Sequence, residues 1–560
     1  MTMILNGSQI ILECLLEQGA DIVFGYPGGA VLNIYDALYG YSDKITHILT
    51  SHEQGASHAA DGYARTTGKT GVVIATSGPG ATNLVTGLAT AYMDSIPVVA
   101  ITGNVATSLL GLDSFQEVDI TGITMPITKH NCIVKDVTKL ADAIREAFFI
   151  ANDGRKGPVL IDIPKDITAA KCEYEPQKPK EHTYSLDETE ITEAAEIIEK
   201  SKRPFIYAGG GIVSCGAVSE LSKLAELIDA PVSLSLMGQC AFDNTSPRYT
   251  GMMGMHGTKT SSLALTECDL LIVLGSRFSD RVTCNAKSFH AATGAKILHV
   301  DIDPAEINKN IEADYKICGN LKLALEKLNR LLTPVRHNEW LEKIFAWKKA
   351  YPIYQTSSDK NAVLPQEVLE TLYDITNGEA IISTEVGQHQ MWTAEFYNFR
   401  KPRSFASSGG LGTMGYGLGA AIGCKVGNPD RIVVNCAGDG SFYMNMNELT
   451  TLAKYRLPVI ELVFNNSVLG MVRQWQKLFY NNRFSQTTLE KPTDFELLGK
   501  AIGIEAMTIR TKSDIRPVLE KAVALNKPVL INCIICKDIN VLPMVPAGAS
   551  IAEPILTIES

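Results

Sequence analysis

Residues 431–466 read RIVVNCAGDGSFYMNMNELTTLAKYRLPVIELVFNN, and this stretch decides the fold. It holds two apolar runs, Arg431–Cys436 and Pro458–Phe464, and each run leads into a short polar segment. The residues between the runs are enough for a helix, which would return the chain to the start of the second run. A strand, a helix and a second strand in this order predict a parallel βαβ unit.

The polar segments at the two strand ends predict a magnesium and pyrophosphate site. The first is Gly438-Asp439-Gly440 and the second is Asn465-Asn466, with 24 residues between Gly440 and Asn465. Asp439 and the side-chain oxygen of Asn466 are hard ligands suited to Mg²⁺. Glycines on both sides of Asp439 let the backbone approach a phosphate closely. A surface turn followed by an unrelated Asn pair remains an alternative on the spacing alone.

Apolar runs of strand length alternate with helix-length segments along most of the chain. With 560 residues, a domain size of about 150 residues predicts three or four domains. Two polar segments, Lys171–Thr189 and Leu332–Pro365, are interpreted as linkers, the second partly helical, and they leave three blocks. The pattern predicts an α/β fold with doubly wound parallel sheets. The predicted strands are Val72–Thr76, Val98–Thr102, Val159–Ile163, Leu270–Leu274, Ile297–Ile302, Ile432–Cys436, Val459–Phe464 and Val529–Ile535.

Composition and charge exclude several classes of protein. The 51 basic and 61 acidic residues give a net charge of −10, which argues against a nucleic-acid surface. No uncharged apolar stretch reaches the length of about 18 residues that a membrane span needs. The first Lys is Lys44 and the first Arg is Arg65, so no secretory or transit segment is expected. The 12 scattered cysteines, including Cys533 and Cys536, are predicted to be core thiols of a cytoplasmic protein.

Three partial motifs point to other functions and are rejected. Gly62–Thr70 resembles a phosphate-binding P-loop but has one residue too many between its glycines and follows a helical pattern. His52-Glu53 would begin a zinc-protease helix, but Ala56 stands where the second His is needed. Gly410–Gly415 matches a dinucleotide fingerprint, but the preceding residues 404–408 do not look like an apolar strand.

Eight motifs together resemble the catalytic subunits of the acetohydroxyacid (acetolactate) synthase family, which depend on thiamine diphosphate (ThDP). The resemblance covers nearly the whole chain. The motifs are Phe24-Gly-Tyr-Pro-Gly-Gly-Ala30, His52-Glu-Gln-Gly-Ala56, Gly111-Leu-Asp-Ser-Phe-Gln-Glu117, Gly254-Met-His-Gly-Thr258, Asp301-Ile-Asp-Pro304, Gly387-Gln-His-Gln-Met-Trp392, Gly438-Asp-Gly440 with Asn465-Asn466, and Met471-Val-Arg-Gln-Trp-Gln476.

The resemblance implies three domains and the residues that hold ThDP. Residues 1–170 would bind the pyrimidine, 190–331 would bind FAD, and 363–545 would bind the pyrophosphate and Mg²⁺. Glu53, which could otherwise be a helix N-terminal acid, would drive the aminopyrimidine to its imino form, so that the cofactor removes its own C2 proton. The implied residues on the pyrophosphate side are Val386, Gly387, Gln388, His389, Gly412, Met414, Gly438, Gly440 and Met471, with Asp439, Asn466 and the carbonyl of Val468 on the metal.

The same resemblance implies residues that handle the substrate. Lys165 could equally be a solvated cation, and Trp475 could be an ordinary core residue. In the family the matching Trp favours 2-ketobutyrate over pyruvate as the acceptor. The implied set is Gly29 and Ala30, whose small turn suits an oxyanion, Phe115 and Gln116 in the substrate channel, Lys165 and Trp475.

The central block resembles the flavin site of the family. Glycine turns, cationic side chains and an acid after a strand suit the phosphates and ribose of a dinucleotide. The Gly254–Thr258 motif favours the anabolic, FAD-containing enzyme over a flavin-free catabolic one. The implied residues are Arg155, Gly209, Gly210, Gly211, Met255, His256, Gly257, Thr258, Gly275, Arg277, Asp280, Arg281, Asp301 and Ile302.

The expected activity is that of a carboligase in branched-chain amino acid biosynthesis. It decarboxylates pyruvate and transfers hydroxyethyl to a second pyruvate or to 2-ketobutyrate. The alternatives are a flavin-free catabolic synthase, another 2-keto acid carboligase, or a binding protein on a decayed scaffold, which would have lost Glu53 or Asp439. The resemblance also implies a homodimer or homotetramer with the active site between subunits, and a separate small regulatory subunit.

Overall fold

Three six-stranded sheets, all of parallel strands, organise the chain, as the alternating pattern predicts. The computed structural model describes residues 2–357 and 359–557. Helices cover both faces of each sheet, which explains why the central strands are almost continuously apolar. The predicted class, α/β with three doubly wound parallel sheets, is confirmed.

The N-terminal unit has the strand order β3-β2-β4-β5-β7-β6, and β1 pairs antiparallel with β8 beside it. Its strands are β1 (Met3–Asn6), β2 (Ile22–Gly25), β3 (Thr46–Leu49), β4 (Gly71–Ala75), β5 (Val98–Asn104), β6 (His130–Ile133), β7 (Val159–Pro164) and β8 (Lys171–Tyr174). Its helices are α1 (Gly7–Glu17), α2 (Leu32–Gly40), α3 (Glu53–Thr67), α4 (Pro79–Asn83), α5 (Val85–Asp94), α6 (Ile120–Thr124), α7 (Leu140–Asn152) and α8 (Lys165–Ala169).

The central unit has the strand order β11-β10-β9-β12-β13-β14. Its strands are β9 (Pro204–Ala208), β10 (Val232–Leu234), β11 (Tyr249–Met252), β12 (Leu270–Leu274), β13 (Lys296–Asp301) and β14 (Tyr315–Cys318). Its helices are α9 (Glu188–Lys200), α10 (Gly210–Cys215), α11 (Val218–Leu227), α12 (Lys259–Glu267), α13 (Asp280–Thr283), α14 (Ala286–Thr293), α15 (Leu321–Leu331) and α16 (Asn338–Ala350).

The C-terminal unit has the strand order β16-β15-β17-β18-β20-β19. Its strands are β15 (Ile381–Thr384), β16 (Phe405–Ser407), β17 (Val433–Gly438), β18 (Val459–Asn465), β19 (Glu505–Ile509) and β20 (Val529–Ile534). Its helices are α17 (Pro365–Thr376), α18 (Gln388–Phe396), α19 (Gly417–Gly427), α20 (Asp439–Asn445), α21 (Leu449–Tyr455), α22 (Gly470–Phe479), α23 (Phe495–Ile502) and α24 (Lys512–Leu525).

The strand orders separate the three sheets into two kinds. Numbered from their own first parallel strand, the N-terminal and C-terminal sheets share the order 2-1-3-4-6-5. The central sheet has the order 3-2-1-4-5-6, which is typical of dinucleotide-binding folds. The first and third sheets are thus two copies of one topology, and the second is of a different kind.

The N-terminal and C-terminal units share one apolar core. Phe24 and Val73 on one sheet belong to the same buried cluster as Val433 and Val463 on the other. The helices α3 and α19 lie at the centre of this contact, and their glycines bring the two backbones close together.

Three local predictions are wrong. Lys171–Tyr174, predicted to begin a linker, forms β8, because the N-terminal residues of the chain supply a pairing strand. Phe405–Ser407 is an edge strand, although residues 404–408 look unlike one. Cys536 is exposed and not in the core, because β20 ends at Ile534. Across residues 2–357 and 359–557, helices of the length and hydropathy of a membrane span are absent.

Candidate active site

Asp439 and Asn466 leave neighbouring parallel strands at the same sheet edge. β17 ends at Gly438, which lies opposite Phe464 on β18. Burial raises the pKa of Asp439 to about 6, although nearby backbone amides, including those of Gly440, Asn466 and Ser467, oppose the shift. The Asn466 side-chain oxygen accepts a hydrogen bond from the Val468 amide at 3.2 Å, which fixes its direction. Two oxygen ligands of the kind that Mg²⁺ prefers therefore lie side by side.

A small cavity of about 80 Å³ opens beside these ligands. Of the residues predicted for the pyrophosphate side, Gly412 lines a neighbouring, larger cavity. The others all line the small one: Val386, Gly387, Gln388, His389, Met414, Gly438, Asp439, Gly440, Asn466, Val468 and Met471. The structure thus brings together segments from the ends of four strands, β15, β16, β17 and β18.

Glycines and unpaired polar atoms make this cavity fit a magnesium diphosphate. A Cβ at Gly438 would lie 2.6 Å from the His389 ring, so only glycine allows the close approach. The His389 Nε2 and Gln388 Oε1 atoms are buried without a hydrogen-bond partner. Burial lowers the pKa of His389 to about 3, so its ring is neutral. A diphosphate would accept a hydrogen bond from a neutral ring nitrogen, and a divalent cation would hold Asp439 ionised.

Glu53 lies at the corresponding edge of the N-terminal sheet. It begins α3 directly after β3 and is 9% exposed. The Asn83 amide donates a hydrogen bond of 2.9 Å to its Oε2. A Cβ at Gly80 would lie 3.3 Å from its Oε1, so that oxygen lies against a small-residue turn. Asn83 is a contact that sequence reasoning missed, because nothing in the sequence connects it with Glu53.

The predicted substrate residues surround the same N-terminal edge. Gly29 begins a single 3₁₀ turn, and the Ala30 amide donates a hydrogen bond to the Thr76 hydroxyl at 3.3 Å. Gln116 has a φ of 59°, and its backbone lies against the Gly78 turn. The backbone amide near Gly29 thus already has a hydroxyl partner, a contact that the sequence did not reveal.

Two further predicted substrate residues are exposed in a single chain. Phe115 is 87% exposed, an unusual position for an aromatic ring. Lys165 is the first residue of α8 and is also exposed. Both therefore lie on a surface that is open in the single chain.

Neither of the two described cavities is lined by both Glu53 and Asp439. Glu53 lines neither the small cavity at Asp439 nor the larger cavity. The predicted metal ligands thus line the small cavity at the C-terminal edge, and the glutamate lies at the N-terminal edge outside both cavities.

A larger cavity, of about 1490 Å³, lies where the three units meet. Gly209, Gly257 and Thr258, although predicted, do not line it. The Gly209 and Gly257 positions face backbone at under 3 Å, and the Thr258 hydroxyl caps α12 through the Ser261 amide. The other predicted flavin residues line it: Arg155, Gly210, Gly211, Met255, His256, Gly275, Arg277, Asp280, Arg281, Asp301 and Ile302.

The wall of this larger cavity is cationic and carries unpaired polar atoms. Arg155 pairs with Glu306 at 2.7 Å. Burial, followed by the positive charge of Arg155, lowers the pKa of Arg277. The Tyr207 hydroxyl and the His256 Nδ1 atom are buried without partners. A wall with these groups on a 3-2-1-4-5-6 sheet fits the phosphates and polar chain of a dinucleotide.

Trp475 lies on α22 and also lines the larger cavity. Its ring packs edge-on against Phe479 with the centroids 5.4 Å apart. Trp475 also packs against a small apolar cluster of Met255, Met544 and Val545, which joins the central unit to the C-terminal segment. The indole therefore forms a rigid part of the cavity wall.

Comparison with known proteins agrees with this geometry. Three family models match the chain: "Thiamine pyrophosphate enzyme, N-terminal TPP binding domain" over residues 5–123, the central domain over 191–328, and the "C-terminal TPP binding domain" over 385–533. The probable acetolactate synthase large subunit of Methanocaldococcus jannaschii is 46% identical over 98% of this chain and 96% of its own length. This chain belongs to the acetolactate synthase large-subunit family.

Other relatives agree with that assignment. The acetolactate synthase large subunit of Porphyra purpurea is 44% identical over 98% of this chain and 95% of its own length. The acetolactate synthase of Mycobacterium leprae is 45% identical over 98% of this chain and 89% of its own length. The resemblance to acetolactate synthase large subunits that the motifs indicate is thus confirmed, and so is the assignment to the thiamine pyrophosphate enzymes.

Proposed function

We propose that this large subunit forms 2-acetolactate from two molecules of pyruvate, or 2-aceto-2-hydroxybutyrate from pyruvate and 2-ketobutyrate, in branched-chain amino acid biosynthesis. The observation that carries the proposal is that two sheet edges each hold residues that match one half of a ThDP site. One edge holds Glu53 in a small-residue turn, and the other holds Asp439 and Asn466 beside a phosphate-sized cavity. A binding protein that had lost the catalytic activity would not need both Glu53 and the Asp439–Asn466 pair.

The chemistry divides between the cofactor and the chain. Bound ThDP supplies the electron sink that lets pyruvate lose CO₂. Asp439, Asn466 and the Val468 carbonyl would hold Mg²⁺ and, through it, the diphosphate. Glu53 would hold a proton at a pyrimidine nitrogen, and Asn83 keeps its carboxylate in place. The methionine Met414 would keep the cofactor bent.

The substrate would meet groups of the N-terminal edge and the larger cavity. In the turn at Gly29 and Ala30, the Gly29 amide would face the developing oxyanion, because the Ala30 amide is already paired with the Thr76 hydroxyl. Lys165 would attract the substrate carboxylate, with Phe115 and Gln116 at the channel. Trp475 would offer a flat wall to the additional methyl group of 2-ketobutyrate.

FAD and Mg²⁺ belong to the same proposal. The strand order of the central sheet, the cationic wall and the unpaired Tyr207 and His256 atoms support a flavin in the larger cavity. The flavin would be structural, because carboligation involves no net oxidation. A flavin-free catabolic synthase is the second candidate, and the size of the larger cavity speaks against it.

Assembly and location complete the proposal. The separation of Glu53 from Asp439, together with the exposed Phe115, supports a homodimer or homotetramer whose active site lies between subunits. A small regulatory subunit would bind in addition. The family matches lie within the proposed domains 1–170, 190–331 and 363–545. Free thiols at all twelve cysteines support a cytoplasmic location.

The Glu53→Gln variant tests the proposed proton relay. A neutral amide cannot hold the proton at the pyrimidine, so acetolactate formation from pyruvate should fall by at least about a hundredfold. The far-ultraviolet circular dichroism spectrum should remain unchanged. Joint stabilisation by ThDP and Mg²⁺, measured as melting temperature, and the flavin content should be kept in the variant. Full activity of the variant would refute the role of Glu53.

A further inference from the structure

Glu385 is a buried glutamate that stands immediately before Val386–His389, the segment predicted to contact the cofactor diphosphate. It follows β15, immediately precedes Val386, and has no exposed surface. Its backbone amide continues the sheet by donating to the Cys436 carbonyl on β17 at 3.0 Å. Glu385 takes no part in the chemistry proposed for the cofactor and the substrate.

The Glu385 side chain contacts two other segments of the pyrophosphate site. Its Oε2 accepts hydrogen bonds of 2.7 Å from the Gly415 amide and 2.7 Å from the Ser441 hydroxyl. The Ser441 oxygen in turn accepts from the same Gly415 amide at 3.1 Å. The second oxygen, Oε1, accepts from the Leu418 amide at the start of α19 at 3.2 Å.

These contacts reach the neighbours of predicted ligand groups on three segments. Gly415 follows Met414, and Ser441 follows Gly440 in the turn that presents Asp439. Glu385 itself precedes the Val386–His389 segment. One carboxylate therefore ties together three separate segments that must be in register for a magnesium diphosphate to bind.

We propose that Glu385 is a positioning residue that aligns the Val386, Met414 and Asp439 segments for ThDP and Mg²⁺. This inference rests on the proposed function only in the identity of the cofactor. The carboxylate does not face the metal cavity and need not touch the cofactor. It acts through the Gly415 amide and the Ser441 hydroxyl, which a single rigid acceptor holds at fixed positions.

Glu461 provides a matched control. It is a second glutamate with no exposed surface, on the adjacent strand β18 of the same sheet. Its two oxygens accept only from the Asn435 amide, at 3.0 and 2.9 Å. It has no contact with the Met414 or Asp439 segments in these hydrogen bonds. The Glu461→Gln variant therefore removes a buried acid, as Glu385→Gln does, but leaves the contacts between the Val386, Met414 and Asp439 segments in place.

The test is the affinity of purified Glu385→Gln and Glu461→Gln proteins for ThDP in saturating Mg²⁺. Quenching of tryptophan fluorescence gives this affinity without any turnover, because Trp392 lines the small cavity. We expect about a tenfold or greater weakening in E385Q, because the amide nitrogen of glutamine cannot accept at one of the two ends where Glu385 accepts, and less than about twofold in E461Q. At saturating ThDP, the KM for pyruvate should be unchanged in both.

Equal affinity in E385Q and the unsubstituted protein would overturn the inference, and so would equal weakening in the two variants. Failure of the unsubstituted protein to bind ThDP would instead refute the proposed function. Should E385Q not fold, Ser441→Ala decides, because it removes only the hydroxyl between Glu385 and Gly415. This variant should bind ThDP several-fold more weakly, and an unchanged affinity would contradict the alignment role.

Discussion

Glu385 also shows how burial changes the titration of a carboxyl group in this sheet. Desolvation raises its pKa from 4.5 to about 7, although Ser441 and three backbone amides oppose the shift. The folded protein therefore keeps this proton up to about pH 7, whereas the unfolded chain releases it near pH 4.5. Since the folded state binds more protons in this interval, the contribution of Glu385 to stability falls as the pH rises from 4.5 to 7.

The Glu385→Gln variant should lack this pH dependence. The quantity to compare is the free energy of unfolding without cofactors, taken as the value for E385Q minus the value for the unsubstituted protein. This difference should rise between pH 5 and pH 7.5, by at most about 3 kcal/mol. Melting temperatures of both proteins across this range measure the difference. A difference that stays constant with pH would show that the carboxyl group is not the source of the slope.

Single residues of the site were predictable where local sequence carries the signal. Asp439 and Asn466 follow apolar runs at a spacing that predicts a helical connection. The structure has two short helices there, α20 and α21, instead of one, and it places both residues at one edge. Asn83 and Glu385 could not be predicted, since their partners are distant in sequence. Gly257 fits the flavin motif, yet it is required by tight backbone packing against Gly254 and Met252 behind the cavity wall.

At the scale of elements, the contact between α3 and α19 depends on glycines, which have no side chain to separate the two helices. A Cβ at Gly423 would lie 1.8 Å from the Ala59 carbonyl oxygen, and one at Gly62 would lie 2.2 Å from the Ala420 carbonyl oxygen. The two helix backbones are therefore in direct contact. Because α3 begins at Glu53 and α19 begins shortly after Met414, this contact also sets the distance between the two half-sites within a chain.

Gly423→Ala should destabilise the protein despite the higher helix propensity of alanine. The methyl group would push α19 away from α3, at a cost of about 1–3 kcal/mol for overpacking. A lower melting temperature by differential scanning calorimetry is the expected result. Gly40→Ala is the control, because a Cβ there meets nothing within 4 Å. An unchanged melting temperature for Gly423→Ala would contradict backbone contact.

Elements were predicted best where burial on both faces dominates the pattern. The predicted strand Leu270–Leu274 agrees with the structure at both ends, and Val459–Phe464 differs by one residue. Lys171–Tyr174 was missed because its pairing with Met3–Asn6 joins two half-exposed segments far apart in sequence. Such edge pairs lack the apolar run by which central strands are predicted.

At the scale of the whole molecule, two sheets of one topology carry the two halves of the proposed cofactor site. The shared 2-1-3-4-6-5 order places Glu53 after the second strand of one sheet and Asp439 after the third strand of the other. The sequence predicts both edges but not their relative placement, because that depends on long-range packing. The proposed active site takes Glu53 from one chain and Asp439 from another.

Complementation between inactive chains tests this central claim most directly. Glu53→Gln and Asp439→Asn proteins, each inactive alone, would be co-expressed and assayed for acetolactate. If each site takes Glu53 from one chain and Asp439 from another, every mixed dimer has one intact site. Random association should then restore about a quarter of the normal specific activity. A mixture no more active than either variant alone would contradict an active site shared between chains.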